Sequence, residues 1–228
     1  MQWKRKYRVL VTNANGTALD VSALRCTFNI EKNMDEEPNY SIVTVYNLAI
    51  ETRNAIIEEG DSVIVEAGYE NGAYGLVFNG EIIQWIKGKD DATDSYVRLV
   101  CQDSDHLLTS AFVAKTLAAG STFRDTVNLC SDGYGVGVMD ISNNPLPRAK
   151  TLFGLNRRYL HGVAASNDAH FYTDNGEINI VSSSYSDGEG PDLRPDTGLI
   201  GTPQQTRSAR NEHSNGDKTQ VNFVFSGY

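Results

Sequence analysis

The chain has 228 residues and a mass of 25.1 kDa, which suits one or two domains. Its composition, 40% hydrophobic and 21% charged, is that of a globular protein and excludes overall disorder. A formal net charge of −9 argues against a protein that grips nucleic-acid phosphates or an anionic membrane over a broad surface.

No stretch approaches the ~20 apolar residues of a membrane span, so no membrane anchoring is expected. Met1 to Lys6 has the positive flank of a signal peptide but no apolar run behind it. The chain is therefore expected to fold where it is made, in a cytoplasm. Cys26, Cys101 and Cys130 are odd in number and widely spaced, as buried reduced thiols would be.

The first half reads as short strands. Lys6–Thr12 alternates and ends in the turn residues Asn13-Ala14-Asn15-Gly16. Leu24–Glu31 alternates with Leu24, Cys26, Phe28 and Ile30 on one face, one dry side and one wet side. Tyr40–Tyr46 is rich in β-branched residues and runs into Asn47, read as the cap of a short helix through Glu58. Ile50, Ile56 and Ile57 give that helix a partial apolar stripe, placed over the open end of a small barrel. Ser62–Tyr69, Leu76–Ile86 and Tyr96–Cys101 follow as strands, and Gly80 suggests a bulge or sharp bend. Six strands and one helix in about 100 residues fit a small closed barrel.

The second half mixes elements. Phe112–Leu117 reads as a strand, and Thr122-Phe123-Arg124-Asp125 matches a capping box opening a helix with Phe123, Val127 and Cys130 on one face. Asn156–Asn167 reads as a helix carrying Leu160, Val163 and Ala164. Asp174-Asn175-Gly176, between the alternating runs Ala169–Thr173 and Glu177–Val181, is a strong hairpin signal. Ser182–Asp196 is polar and reads as a loop.

Chemical motifs are scarce. The glycines of Gly133-Tyr134-Gly135-Val136-Gly137 follow a helix and run on as a strand, the reverse of a dinucleotide loop. Asp187, Glu189 and Asp192 lack the ligand spacing of a calcium loop. His106, His161, His170 and His213 form no helical metal pair; His161 and His170 lie on neighbouring elements, where a structural role is the plainer reading. No nucleophile elbow occurs, and no carboxylate pair is singled out. No catalytic, cofactor-binding or metal-binding residue is therefore assigned.

Several segments together carry a resemblance. In order they are Ile42–Leu48 with its helix, Gly60–Tyr69, and Leu76–Ile82, a pattern of strand, Asn-Leu, helix, Gly-Asp, strand to Gly-Tyr, and Phe-x-Gly-x-Ile. With Gly120-Ser121-Thr122, the helix and hairpin of 156–181, and Thr197–Pro203, this resembles the baseplate hub (tail hub) proteins of long-tailed bacteriophages. Those are relatives of the hub part of type VI secretion spikes. The likeness runs to about residue 206; beyond it the sequence departs, going almost at once to His213-Ser214-Asn215-Gly216-Asp217 and a strand Val221–Phe225.

The resemblance implies a mainly β chain with short helices (α+β), built as tandem small antiparallel β-barrels. It divides the chain into 1–103, a first hub barrel with one covering helix, 104–196, an α+β middle region with helices and a hairpin, and 197–228, the remnant of a second barrel short of a strand pair. That second barrel is either incomplete or closed by a neighbour. Asn47, Leu48, Gly60, Asp61, Gly68, Tyr69, Phe78 and Gly80 become fold-determining motif residues, not catalytic ones.

The implied function is a non-enzymatic virion component of the tail baseplate, assembled in the host bacterial cytoplasm. Hubs of this family are trimers joining the tail tube to the central spike around a DNA channel, and need no cofactor. Three copies at −9 each would carry about −27, so DNA could pass such a bore without sticking. Two other readings stay open. Eleven Tyr, eight Phe and two Trp could furnish a stacking platform in an oligonucleotide- or oligosaccharide-binding barrel. A cell-wall-degrading tail enzyme would need a carboxylate pair or zinc site in a cleft.

Overall fold

A computed structural model of the chain describes residues 4–13, 15–70, 72–186, 188, 199–207 and 219–225. The first half contains β1 (Arg5–Asn13), β2 (Ala18–Asp20), β3 (Cys26–Glu31), β4 (Tyr40–Tyr46), α1 (Ile50–Glu59), β5 (Gly60–Tyr69), β6 (Tyr74–Lys89) and β7 (Ser95–Gln102). The seven strands form one sheet in the order β2-β1-β5-β6-β7-β4-β3. The expected closed barrel is not what forms: the sheet ends at β2 and β3, with no ladder between them. β2 has only three residues, and the chain then turns through Leu24 N–H donating to Val21 O at 3.1 Å, which leaves too little extended backbone to pair. The sheet nonetheless curls. Tyr7 of β1 donates its hydroxyl to Leu24 O at 2.8 Å, and its ring meets Phe28 of β3 edge-on with centroids 6.3 Å apart.

Alternation built this sheet as expected. In β3, Cys26, Phe28 and Ile30 are half-buried while Thr27, Asn29 and Glu31 are exposed. Val9, Val11, Val43, Val45, Val63, Val65, Phe78, Val97 and Leu99 make its dry core, together with Leu48 and Ile56. The helix stripe is narrower than its sequence suggested, since Ile56 joins the core but Ile50 is exposed. The short β2 escaped the sequence reading, having too few residues for a visible alternation.

The second half adds α2 (Asp105–Thr109), β8 (Phe112–Leu117), α3 (Phe123–Cys130), β9 (Gly135–Met139), β10 (Lys150–Leu155), α4 (Asn156–Ala165), β11 (Ala169–Asp174) and β12 (Glu177–Ser182). The capping box is present: Thr122 Oγ1 accepts the Asp125 amide, and the Asp125 carboxylate accepts the Thr122 amide. Val127, Cys130, Leu160, Val163 and Ala164 turn inward as expected, forming a second core with Leu152, Phe171, Ile178 and Ile180. β11 and β12 form the hairpin, and β9 joins β12 in parallel. β10 pairs antiparallel with β8 in a two-stranded ribbon. Asn156 pins α4 to α3, its Nδ2 donating to Cys130 O at 2.9 Å.

Both cores lie in one compact unit, Lys6–Gly68 with Tyr74–Tyr185. A smaller unit comprises Met1–Arg5, Tyr69–Ala73 and Ser186–Tyr228. Its β13 (Leu199–Arg207) and β14 (Thr219–Phe225) are antiparallel. They make a two-stranded ribbon among the described residues, not a closed barrel. The acidic residues Asp187, Glu189 and Asp192 and the segment His213–Asp217 lie outside the described residues. No helix among those described is long and apolar enough to cross a membrane.

Candidate functional site

The eight motif residues take distinct places. Asn47 does not cap α1, which begins at Ile50. It holds a left-handed backbone, φ 53°, a conformation Asn adopts more readily than most residues. From there its Oδ1 accepts the Ser95 amide at 3.0 Å and its Nδ2 donates to Asp94 Oδ1 at 2.9 Å, fastening the turn between β6 and β7. Leu48 and Phe78 share the sheet core. Gly60 opens β5, and Gly68 pairs with Tyr74 near its other end. Tyr69 N–H donates to Ala73 O at 3.0 Å across the turn that follows.

Gly80 carries no bulge, because it pairs in register with Val63. The irregularities fall beside it, between Val65 and Glu66 on β5 and between Ile82 and Gln84 on β6. Its glycine is required by space: a Cβ there would stand 2.5 Å from Phe78 Cζ and 2.7 Å from Gln102 O. Asp61 and Gly80 come together in the wall of a cavity of about 220 Å³ shared with Ser62, Asn79, Asp103 and Gly176.

That cavity opens the seam between the two cores, built from polar side chains the sequence reading did not single out. The Asn175-Gly176 hairpin tip reaches the sheet: Asn79 N–H donates to Asn175 Oδ1 at 3.1 Å, and Gly176 N–H donates to Asp103 Oδ1 at 2.9 Å. Asn39, buried in the loop before β4, donates Nδ2 to Thr173 O at 2.8 Å. Asp103 is 1% exposed and its Oδ2 meets no donor. Burial pushes its carboxyl above the usual carboxylate range, against bonds from Ser104, Gly176 and Asn175.

Glu81 brackets the same seam. One carboxylate oxygen accepts the Tyr134 hydroxyl and the other accepts the His106 amide at 2.8 Å. Burial, first, and the Glu81 bond then raise the Tyr134 phenol far above its ordinary value. Glu81, Asp61, Asp105, His106, Tyr134, Ile82 and Ile83 line a wider cleft of about 510 Å³. At the rim of the seam Glu36 meets His161 Nδ1 at 2.8 Å, Arg157 reaches Glu36 O and Glu37, and Lys32 meets Asp174. His161 and His170 therefore keep different company, since the His170 ring lies beside Tyr172.

Solved structures share this overall fold. A tail protein from Neisseria meningitidis superposes with a TM-score of 0.59 at 14% identity, over 97% of this chain and 68% of that one. The chain has the fold of phage tail proteins. The 43 kDa tail protein of prophage MuSo2 from Shewanella oneidensis gives 0.59 at 11% identity, over 94% of this chain and 68% of the other. A chain of the Francisella PdpA–VgrG complex gives 0.55 at 7% identity, over 96% of this chain but 38% of its own length. No family model matches the sequence, and no curated protein is similar to it.

Within this tail-protein fold one outer face also carries stacked side chains. Just before β3 and on β4 and β7, the Arg25 guanidinium lies 4.4 Å above the Tyr46 ring, the Tyr46 and Tyr96 ring centroids are 6.4 Å apart, and the Arg98 guanidinium lies 5.4 Å from the Tyr96 ring. The Tyr96 ring lies across Gly88 of β6, where a Cβ would come within 2.5 Å of its hydroxyl.

Proposed function

We propose that this chain is a structural part of a phage tail or a phage-derived tail-like particle, specifically a baseplate hub. In this reading three copies form a ring in the virion's tail baseplate, joining tail tube to central spike. The ring's acidic bore lets DNA through without binding it. The observation that carries the reading is the likeness in fold to two phage tail proteins over 94–97% of the chain. Three further features support it. The net charge of −9 suits a channel for nucleic acid. The sheet has open ends at β2 and β3, edges that sister copies could complete into barrels. Both oxygens of Glu81 are bound as a bracket, a structural use of an acid in the cleft.

On this reading the eight motif residues act by shaping the fold, and the hub works without enzymatic chemistry. A spike partner is supported by the neighbour in the PdpA–VgrG complex. The test is sedimentation of the purified full chain over a wide concentration range, alone and with tail tube and spike proteins of the same phage or particle. Self-association into a ring and capture of either protein are expected. A chain that stays monomeric at high concentration and binds neither would overturn the proposal.

The Arg25–Tyr46–Tyr96–Arg98 ladder favours a second reading, a stacking platform for bases or sugars. Salt-sensitive binding of single-stranded DNA that is lost in Tyr46→Ala would establish it.

A further inference from the structure

The cavity at the seam joins an unpartnered buried carboxylate to a wall rich in oxygen. Asp103, just after β7, is 1% exposed, and its Oδ1 accepts Ser104 Oγ at 2.7 Å and Gly176 N–H at 2.9 Å. Its Oδ2 is enclosed and meets no donor. Such an oxygen is costly, because burial strips its water and no hydrogen bond replaces it.

The rest of the wall offers acceptors and negative charge. Asn79 spends its backbone N–H on Asn175 Oδ1 at 3.1 Å and its Nδ2 on Asn175 O at 3.3 Å, and keeps the acceptor Oδ1. Ser104 has given its hydroxyl hydrogen to Asp103, and Tyr134 has given its own to Glu81. Asp61 adds a second carboxylate, exposed near the start of β5. Glu81 adds a third negative charge, although both its oxygens already accept bonds. Among the described residues no Lys, Arg or His lines the cavity.

A wall of this kind suits a cation, and its chemistry narrows which. No three His, Cys, Asp or Glu side chains among the described residues group as a metal centre, so the ligand set of a zinc site is lacking. Carboxylate, hydroxyl and amide oxygens are hard ligands, the kind that calcium and magnesium take. At about 220 Å³ the cavity has room for roughly seven waters of ~30 Å³ each, enough to complete a cation's shell. Burial alone favours a proton on Asp103, whereas a cation beside it stabilises the charged form.

We infer that this cavity binds one hard divalent cation, calcium or magnesium, through the Asp103 and Asp61 carboxylates, with oxygens of Asn79 and Ser104 and water completing the shell. The ligands come from β5, β6 and the segment after β7, and Asp103 also holds the Gly176 hairpin tip. A cation there ties the sheet core to the second core. Its binding free energy then adds to the stability of the folded chain. The inference does not depend on the hub reading.

The test is calorimetric titration of the EDTA-treated full chain with calcium chloride and, separately, with magnesium chloride. It compares the wild type with Asp103→Asn, Asp61→Asn and Asp105→Asn. Asp103→Asn keeps the shape of the side chain and removes its charge. Asp61→Asn alters an exposed position, so it tests the site even if the buried variant fails to fold. Asp105 lines the wider cleft but not this cavity, and its variant is the control. One cation per chain is expected, bound about tenfold or more weakly in Asp103→Asn and Asp61→Asn and within about threefold of wild type in Asp105→Asn. The same cation is expected to raise the Tm of the wild type and not that of Asp61→Asn. Whichever of the two binds more tightly is the occupant. A wild type that binds neither at up to about 10 mM, or binding that Asp103→Asn and Asp61→Asn leave intact, would overturn the inference and leave the hub reading untouched.

Discussion

The ring of Phe78 lies across Gly80, two residues further along the same strand, and leaves no room for a side chain there. A Cβ at position 80 would also stand 2.7 Å from Gln102 O, a backbone atom of the neighbouring strand that cannot swing aside. Gly80→Ala is therefore expected to destabilise by about 1–3 kcal/mol, the usual cost of overpacking a core. Phe78→Leu in the same chain should recover only part, since the Gln102 contact remains. Urea unfolding measures both, and a wild-type midpoint for Gly80→Ala would refute the steric account.

Asn47 combines a left-handed backbone with two side-chain bonds to the β6–β7 turn. Asn47→Gly keeps the backbone and loses the bonds, at a cost of about 1 kcal/mol. Asn47→Ala loses both and is expected to cost about 1 kcal/mol more. Thermal unfolding of the two variants separates the contributions; equal losses would mean the backbone conformation is not strained.

Asp103 makes stability depend on pH in an unusual direction. Its folded pKa is raised by burial, so between its ordinary value and that raised value the folded chain holds a proton the unfolded chain has lost. Its contribution is therefore fully present below the ordinary carboxylate range and lost as pH rises through the raised value. Asp20 and Asp125, whose carboxyls are held low by bonds from Ser22 and Thr122, act in the opposite sense and lose their contribution as pH falls. Asp103→Asn should steepen the net gain in stability with rising pH. Urea midpoints from pH 4 to 8 check this, and an unchanged slope would count against a buried charge at the seam.

The three thiols should be poor nucleophiles while the chain is folded. Burial pushes Cys101 up to about 12 and Cys130 to about 11, and burial with the nearby Asp20 charge pushes Cys26 to about 11. At pH 8 a disulfide exchange reagent is expected to label the folded protein slowly and all three thiols at once in urea. Rapid labelling of Cys101 without denaturant would contradict its place in the sheet core.

Local patterns with a local cause were legible in the chain. The alternation of Cys26, Phe28 and Ile30, the capping box at Thr122 and Asp125, and the Asn175-Gly176 turn each depend on neighbours within a few residues. Gly80 reads as a bulge or a sharp bend; no bulge falls there, and its constraint comes from Phe78 and from Gln102 on the neighbouring strand, twenty-two residues away. Asn47 reads as a cap because it precedes a helix, yet its partners Asp94 and Ser95 lie far along the chain.

Sequence alone therefore determined the class of the chain, its acidic balance and most of its strands, because side-chain periodicity and turn chemistry act between near neighbours. Only the tertiary structure decided that the first sheet stays open and that Asp103 and Glu81 come together at the seam. Those outcomes turn on which distant segments pack together, and burial, pairing and exposure are properties of that packing, which no stretch of sequence carries by itself.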